Sequence, residues 1–374
     1  MPRDKYGDRM IVKTNVKLNL GLSVLRKRAD GFHDIETLFV PCFDFGDILE
    51  IIAGDDYSRT SAALFAKYGG PDGCIDQQTQ RLAGLVTDEL SDSQEASVGS
   101  TSSPTGFNES AKEGEKETTL SGNVTASEDG RLVQGISESG KLMVTIAREE
   151  GVDWDPLKDL CAKAYDILAQ DFDLPPVKIF LEKKAPVGAG LGGGSADAAF
   201  TLKALNELCG LGLDDQRLSE YAARLGSDCA FFIFNRPMIG SGRGEVLEPY
   251  DIDLSEYEIK VLIPEGISVS TAEAYKGIVP REGHFDKLSD QSGHLCSSAI
   301  GVTEPAKPDT INDLKTILAM PVSEWKDKLL NDFEATVFKA HPELASIKQS
   351  LYDSGAVYAA MSGSGSALFA LYEK

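Results

Sequence analysis

The segment 186–199, which reads PVGAGLGGGSADAA, places five glycines within seven positions directly before a run with helical spacing. The glycines are Gly188, Gly190, Gly192, Gly193 and Gly194. Glycine reaches positive φ and carries no side chain, so consecutive amides can converge on an anion, and a helix N-terminus adds its positive dipole end. The segment therefore predicts a phosphate-binding loop.

The residues on either side show which elements this loop joins. Upstream, apolar and polar residues alternate from Val177 to Glu182, which predicts a strand. Downstream, Ala198, Leu202, Leu205 and Leu208 recur at helical spacing, and Gly210 follows as a stop signal. A strand, the loop and a helix are predicted in that order.

Three interpretations of the loop compete. Gly188, Gly190 and Gly193 match the G-x-G-x-x-G pattern of dinucleotide-binding folds, but residues 183–186 separate them from the strand and no acidic strand end follows about 20 residues later. The Walker A pattern is absent from the sequence. A glycine-rich turn without a ligand is the third interpretation. The density of glycines favours a nucleotide-phosphate loop of another type.

The composition limits the classes of partner. A chain of 374 residues is long enough for two domains. Its formal net charge of −22 argues against nucleic acid or an anionic membrane as a partner. Six cysteines without a C-x-x-C pair and four histidines predict neither disulfides nor zinc. We expect a cytoplasmic protein, since the first residues have no apolar signal-peptide core and no apolar run is long enough for a membrane span.

Two polar stretches are predicted to lie outside the core. The first, residues 69–130, is dominated by Ser, Thr, Gly and Glu in its later part and predicts a mobile insertion. The second, residues 281–310, predicts a surface loop.

Further periodic segments predict the remaining elements near the loop. Alternation from Met10 to Leu20 predicts one strand, with Lys17 and Asn19 on the same face. A helix is predicted up to Gly226, and the apolar run CAFFIF after Asp228 is predicted to be a buried strand. Near the C-terminus, MSGSGSALFALYE predicts a glycine-serine turn before a strand.

Four stretches in their order along the chain resemble those of the GHMP kinases, which phosphorylate small metabolites with ATP. They are KLNLGL with RADGFHDIETLF, the glycine-rich segment, LGSDCAFF and SGSGSALF. This resemblance implies an α+β, two-domain GHMP-kinase-like fold with the active site in the inter-domain cleft. It also implies an ATP-binding domain over residues 10–240, interrupted by the insertion, and a substrate-binding domain over residues 241–374.

The same resemblance assigns catalytic and nucleotide-binding roles. Asp228 matches the base for the substrate hydroxyl, and Lys17 matches the lysine beside it. Ser195 is implied near Mg²⁺ as well as near ATP. The implied ATP-binding residues are Pro186, Gly188, Gly190, Gly192, Gly193, Gly194, Ser195 and Ala196.

Within the family, KLNL followed by ADGFH is similar to members that phosphorylate the 2-hydroxyl of a diphosphocytidyl polyol in non-mevalonate isoprenoid synthesis. Asn19, Phe32 and His33 match residues that bind the cytidine part of that small-molecule substrate. Phe32 is implied as a stacking platform, His33 as a reader of the base edge, and Tyr275 as the opposing aromatic face. The remaining alternatives are a mevalonate or homoserine type of GHMP kinase and a non-catalytic nucleotide-binding regulator. A monomer or weak homodimer is expected.

One position departs from the family pattern. Asp159 stands where the family usually has Asn, before the helical segment DLCAKAYDIL. Asparagine offers a donor and an acceptor, whereas an ionised aspartate offers acceptors alone. The implied contact with adenine at this position is therefore in question.

Overall fold

The computed structural model describes residues 9–54, 67–68, 120–281 and 314–374. The strands in this part of the chain are β1 Arg9–Lys13, β2 Val16–Lys27, β3 His33–Cys42, β4 Ile48–Ala53, β5 Gly122–Ala126, β6 Leu132–Ser137, β7 Leu142–Arg148, β8 Val177–Lys183, β9 Met238–Ser241, β10 Val246–Pro249, β11 Tyr257–Leu262, β12 Tyr358–Met361 and β13 Leu368–Glu373. The helices are α1 Leu160–Ala169, α2 Gly193–Leu208, α3 Asp215–Leu225, α4 Cys229–Phe234, α5 Thr271–Lys276, α6 Leu314–Leu318, α7 Glu334–Ala340 and α8 Pro342–Asp353, with short 3₁₀ helices at Pro156–Lys158 and Val322–Glu324.

The chain divides into two compact units. Of the described residues, the first unit contains 9–11, 50–54, 67–68 and 120–183, and the second contains 12–49, 184–281 and 314–374. The two domains predicted at residues 10–240 and 241–374 come from the resemblance to the GHMP kinases, whereas these units are defined by contacts within the structure. The predicted domain bounds stay a prediction. The cleft implied between those two domains also stays a prediction.

A six-stranded sheet in the order β1-β4-β8-β7-β6-β5 characterises the first unit. Strands β7 and β8 run parallel, and β5, β6 and β7 form an antiparallel meander. Helix α1, which packs on β7, buries Cys161, Ala162, Tyr165 and Leu168. The glycine-rich loop follows β8 along the chain, as the sequence predicts.

Two antiparallel sheets form the framework of the second unit. Their strand orders are β10-β9-β3-β2 and β11-β13-β12. One apolar core contains residues of both sheets, including Leu18, Leu38 and Phe369, together with the fully buried Trp325 and Tyr358. Helices α2, α3 and α4 pack against one another, and α2 also contacts β2. This packing fixes the start of α2, where the glycine-rich loop ends.

The prediction of one continuous strand from Met10 to Leu20 is wrong, because this segment forms parts of two strands, β1 and β2. The chain leaves one sheet after Lys13 and enters another at Val16, and Thr14 N bonds Asp47 O at 2.9 Å in between. Burial alternates over β1, whereas every residue from 14 to 20 is buried. The alternation of residue types in the sequence therefore predicts neither the two-sided burial of β2 nor the sheet to which each strand belongs. The predicted shared face of Lys17 and Asn19 is confirmed by a hydrogen bond between their side chains.

The apolar run after Asp228 is buried as predicted, but it forms helix α4 and not a strand. A six-residue apolar run is compatible with either state by periodicity alone. The run packs against helices α2 and α3, which offer no strand edge for pairing, and in the helical state its backbone hydrogen bonds are made within the run itself. Asp228 therefore stands at the N-cap of a helix.

The predicted insertion at 69–130 is too long at its C-terminal end. Strand β5 pairs in antiparallel register with β6, so residues 122–126 belong to a sheet. Residues 69–119 lie outside the described part of the chain, as do residues 282–310 of the second predicted loop. Among the described residues, no helix is long and apolar enough to cross a bilayer.

Candidate functional site

The glycine-rich loop has the backbone geometry that its composition predicts. Gly188, Gly190 and Gly192 have φ of +73°, +76° and +73°, a conformation that strains any residue with a Cβ. Gly192 is the N-cap of α2, and no side chain caps that helix. The amides of its first turn and its dipole are therefore available to an anion. Gly188 and Gly194 are exposed, so the loop is open to a ligand.

A buried ammonium lies beside this loop. Lys17 is 3% exposed, and its Nζ donates to Gly190 O at 3.1 Å and to Asn19 Oδ1. The same Nζ lies 3.2 Å from Asp228 Oδ2. A buried charge needs such partners to offset the loss of hydration. The strand that carries Lys17 is buried on both faces at this position, so the lysine does not lie on a solvated strand face.

Asp228 is the accessible member of the ion pair. Its side chain is 29% exposed, against 4% for that of Lys17. It precedes α4, whose Phe231 and Phe232 are buried and packed edge to face. A rigid apolar helix thus holds a carboxylate that a ligand can reach on one side and a cation contacts on the other.

Asn19 orients the lysine. Its Oδ1 accepts from Lys17, while its Nδ2 donates to Thr37 Oγ1 at 3.1 Å, and the residue is 2% exposed. Thr37 in turn donates to Gly21 O at 2.5 Å. Both polar ends of the amide are therefore engaged within the protein. The implied contact between Asn19 and cytidine stays a prediction.

A glycine turn at residues 362–366 packs against the glycine-rich loop at Gly190. A Cβ on Gly190 would lie 2.2 Å from Ser362 O, and a Cβ on Gly363 would lie 2.8 Å from Gly190 O. Asn331, which is 3% exposed, donates through Nδ2 to Met361 O at 2.7 Å and to Gly363 O at 2.8 Å. The sequence predicted the turn but gave no role to it or to Asn331, since nothing local indicates which segment it meets.

The base of the loop is tied down by buried polar groups. Asp47, which has no exposed surface, accepts from Lys184 N at 2.6 Å and Ala185 N at 2.7 Å through Oδ1. Thr14 Oγ1 accepts from Asp47 N at 3.0 Å and donates to Asp197 Oδ1 at 3.1 Å. One hydroxyl therefore links the residues before the loop to the first turn of α2. Sequence reasoning missed Thr14, Asp47 and Asp197.

Ser195 lies in the first turn of α2 and is half-buried. Burial raises the pKa of the Cys229 thiol to about 12, a hydrogen bond with Ser195 opposes that rise, and the charge of Asp228 adds to it. A pKa this high keeps the thiol protonated at physiological pH. Among the described residues, no group of three or more His, Cys, Asp or Glu is placed to hold a metal ion.

Two of the three ring-bearing residues expected to bind the cytosine, His33 and Tyr275, contact each other. The rings of His33 and Tyr275 stack with centroids 4.6 Å apart, and Tyr275 packs edge to face on Phe333. Tyr275 belongs to α5, which begins with a capping box of Ser270 and Glu273. Burial, followed by the charge of Asp228, raises the pKa of Tyr275 to about 12.

Phe32 is placed differently. It is 52% exposed, which excludes core packing as its role. Its backbone N–H donates to Asp30 Oδ1 at 3.1 Å in the turn between β2 and β3. The stacked partner of Tyr275 is His33, so a clamp of Phe32 against Tyr275 stays a prediction.

Asp159 has a local structural role. As the N-cap of α1 it accepts from Cys161 N at 2.9 Å through Oδ1, and from Trp154 Nε1 at 3.1 Å through Oδ2. An asparagine has one acceptor oxygen and could satisfy one of these donors. This explains an aspartate at the position, while its contact with adenine stays a prediction.

Together, the uncapped glycine-rich start of α2 and the ion pair between buried Lys17 and accessible Asp228 form a candidate site for an anion. Comparison with known proteins agrees with this chemistry. Residues 159–236 match the model of the GHMP kinases N terminal domain, and residues 316–374 match GHMP kinases C terminal.

Relatives extend the match to nearly the whole chain. A 4-diphosphocytidyl-2-C-methyl-D-erythritol kinase of Parabacteroides distasonis is 34% identical over 98% of this chain and 92% of its own length. The protein of the same name from Bacteroides fragilis strain NCTC 9343 is 36% identical over 97% of this chain and 92% of its own. The chain belongs to the GHMP kinase family, as the motifs predicted.

Solved structures show the same fold. A crystal structure of 4-(cytidine 5'-diphospho)-2C-methyl-D-erythritol kinase superposes with a TM-score of 0.54 at 23% identity, covering 97% of this chain and 90% of the other. A homoserine kinase from Cytophaga hutchinsonii gives 0.57 at 13% identity, covering 100% and 88%. The predicted α+β GHMP-kinase-like fold is confirmed.

Proposed function

We propose that this chain is an ATP-dependent kinase that phosphorylates the 2-hydroxyl of 4-diphosphocytidyl-2-C-methyl-D-erythritol, a step of non-mevalonate isoprenoid synthesis. The observation that carries the proposal is the 3.2 Å contact between Lys17 Nζ and Asp228 Oδ2 beside the open glycine-rich loop. Curated relatives that cover nearly the whole chain bear the name of this activity, which supports the choice of substrate.

The site residues divide the work of phosphoryl transfer. The amides of the loop 188–194 and the uncapped start of α2 hold the phosphates of ATP. Asp228 accepts the proton of the substrate hydroxyl, and Lys17 orients that hydroxyl and offsets the charge that develops on it. No covalent enzyme intermediate is required, since positioning and charge stabilisation supply most of the catalysis.

The residues also fit a magnesium ion held chiefly by nucleotide. Mg²⁺ in kinases usually keeps few protein ligands besides the phosphates. Ser195, at the start of α2, is the hydroxyl that would contact the ion, which when bound would neutralise the phosphate charge.

The proposal extends to the cellular setting. Cys42, Cys161, Cys209 and Cys229 are free thiols among the described residues, in agreement with a reducing cytoplasm. We propose a monomer or weak homodimer, which sedimentation at several protein concentrations tests.

A coupled ADP-release assay with Mg²⁺-ATP tests the reaction. The purified chain is offered 4-diphosphocytidyl-2-C-methyl-D-erythritol, mevalonate and homoserine in parallel, with Asp228→Asn as the control for contaminating kinases. We expect turnover of the cytidylyl substrate alone. Turnover of either other substrate would retain a GHMP kinase but contradict the proposed specificity. Inactivity with all three, with ATP bound, would favour the non-catalytic regulator.

A further inference from the structure

The turn between β9 and β10 is rigid and glycine-rich. Gly242 and Gly244 have φ of +68° and +118°. Gly244 N donates to Ser241 O at 3.0 Å, and Arg243 N donates to Glu245 Oε2 at 2.6 Å. The backbone of Arg243 is therefore held in place by its own neighbours.

This turn contacts both ends of the candidate site. Gly242 O accepts from Ile35 N at 2.7 Å, two residues after His33. A Cβ on Gly244 would lie 3.7 Å from Asp228 Oδ1. The turn thus lies between the aromatic residues expected to bind cytosine and the carboxylate expected to act on the hydroxyl.

The guanidinium of Arg243 has few hydrogen-bonding partners among the described residues. Its guanidinium carbon is 5.0 Å from the centroid of the exposed Phe32 ring. Within the described part of the chain, its ion pair is the long contact from Nε to Glu245 Oε1, at 3.6 Å, and its side chain makes no hydrogen bond. The terminal nitrogens of a half-exposed arginine are therefore available to a ligand.

We propose that Arg243 binds the diphosphate of the cytidylyl substrate. The proposal rests on the proposed function, because it takes the order of groups from that substrate: base, ribose, diphosphate and then polyol. The protein presents Phe32 and His33, then Arg243, then Asp228 in the corresponding order. A guanidinium donates two parallel hydrogen bonds to phosphate oxygens, which lysine cannot reproduce. In a chain of net charge −22, a dianionic linker needs such a local cation.

Titration calorimetry with CDP and with cytidine separates this role from packing on Phe32. The titrations are made with a saturating non-hydrolysable ATP analogue, so that neither ligand enters the ATP loop. We expect wild-type protein to bind CDP at least about tenfold more tightly than cytidine, as charged hydrogen bonds of typical strength imply. Arg243→Gln should abolish that difference and leave the affinity for cytidine unchanged, while Arg243→Lys keeps part of it.

Arg217→Gln is the matched control, because Arg217 is also paired with a nearby glutamate, Glu220, but lies on the surface of α3. It should behave as wild type. Equal losses for CDP and cytidine in Arg243→Gln, or an unchanged CDP preference, would overturn the proposal. Wild-type protein that binds neither ligand would contradict the proposed function itself. Turnover adds a second measurement: Arg243→Gln should raise KM for the cytidylyl substrate about tenfold or more and leave KM for ATP unchanged.

Discussion

The carbonyl oxygen of Gly190 accepts a hydrogen bond from Lys17 Nζ at 3.1 Å, so one peptide group of the phosphate loop also holds the buried lysine. Ser362 Oγ donates to the same oxygen at 3.3 Å. This one carbonyl oxygen therefore connects the glycine-rich loop both to the buried lysine and to the C-terminal glycine turn. A change in the backbone at Gly190 must disturb all three.

Gly190→Ala is expected to destabilise the protein and to abolish ATP binding. The new methyl would lie 2.2 Å from Ser362 O, and the residue has φ of +76°. Gly210→Ala is the matched control, because its φ is +64° and no heavy atom lies within 4 Å of the added Cβ. The control should cost about 1–2 kcal/mol from backbone conformation alone. Urea unfolding compares the stability of the two variants, and nucleotide titration compares their affinity for ATP. Equal losses of stability in Gly190→Ala and Gly210→Ala would contradict the prediction.

Asp228→Asn should lower kcat by at least about 10²-fold and leave the fold intact, since the amide cannot accept the hydroxyl proton. The side chain of Asp228 is 29% exposed and makes no cap hydrogen bond in α4. Lys17 loses its anionic partner in this variant but keeps its bonds to Gly190 O and Asn19 Oδ1, so we expect some loss of stability with the fold retained. Single-turnover rates and thermal melting measure the two effects. Asp173→Asn, at a side chain that is 97% exposed, should retain full activity. A near-normal rate in Asp228→Asn would remove it as the base.

Local patterns predicted the elements around the site but not how they meet. The strand, glycine loop and helix from 177 to 208 were predicted because alternation, glycine density and helical spacing are all local signals. Burial in α4 was predicted and its helical state was not, since six apolar residues fit either structure. The contact between Gly190 and Gly363 joins segments far apart in the sequence, and no periodicity in either segment encodes it.

The same limit applies to buried polar residues. Lys17 and Asp228 were identified through the resemblance to a family, and the structure adds that the lysine is 3% exposed. Thr14, Asp47 and Asp197 have ordinary local sequence contexts, and their shared hydrogen bonds depend on three separate segments. Residues of this kind become identifiable when the fold brings their segments together.

Thr14→Val tests whether that network shapes the phosphate loop. The substitution keeps the side-chain volume and removes a hydroxyl bonded to Asp47 N and Asp197 Oδ1. We expect a loss of about 1–3 kcal/mol from groups left unsatisfied in the interior, together with a severalfold rise in KM for ATP. Urea unfolding and steady-state kinetics measure both.

Thr145→Val is the control for Thr14→Val. Thr145 is fully buried and accepts from Gln134 Nε2 at 3.0 Å, within the first compact unit. A comparable loss of stability without a change in KM for ATP is expected. An unchanged KM for ATP in Thr14→Val as well would show that the network stabilises the fold without shaping the loop.

Tyr275 should make stability fall at alkaline pH. Burial and the charge of Asp228 raise its pKa from 10.0 to about 12, so between these values the unfolded chain loses a proton that the native protein keeps. Stability from this group is full below pH 10 and is lost as the pH rises through about 12, by about 2–3 kcal/mol at most. Tyr275→Phe retains the ring that stacks on His33 and lacks the ionisable group. The free energy of unfolding, measured in urea across this range, should therefore fall less steeply in Tyr275→Phe than in wild type.

The Asp228→Asn background is the control, since it removes the second cause of the raised pKa of Tyr275. In that background, the difference in pH dependence between Tyr275 and Tyr275→Phe should be smaller. Parallel pH profiles for wild type and Tyr275→Phe would contradict the prediction.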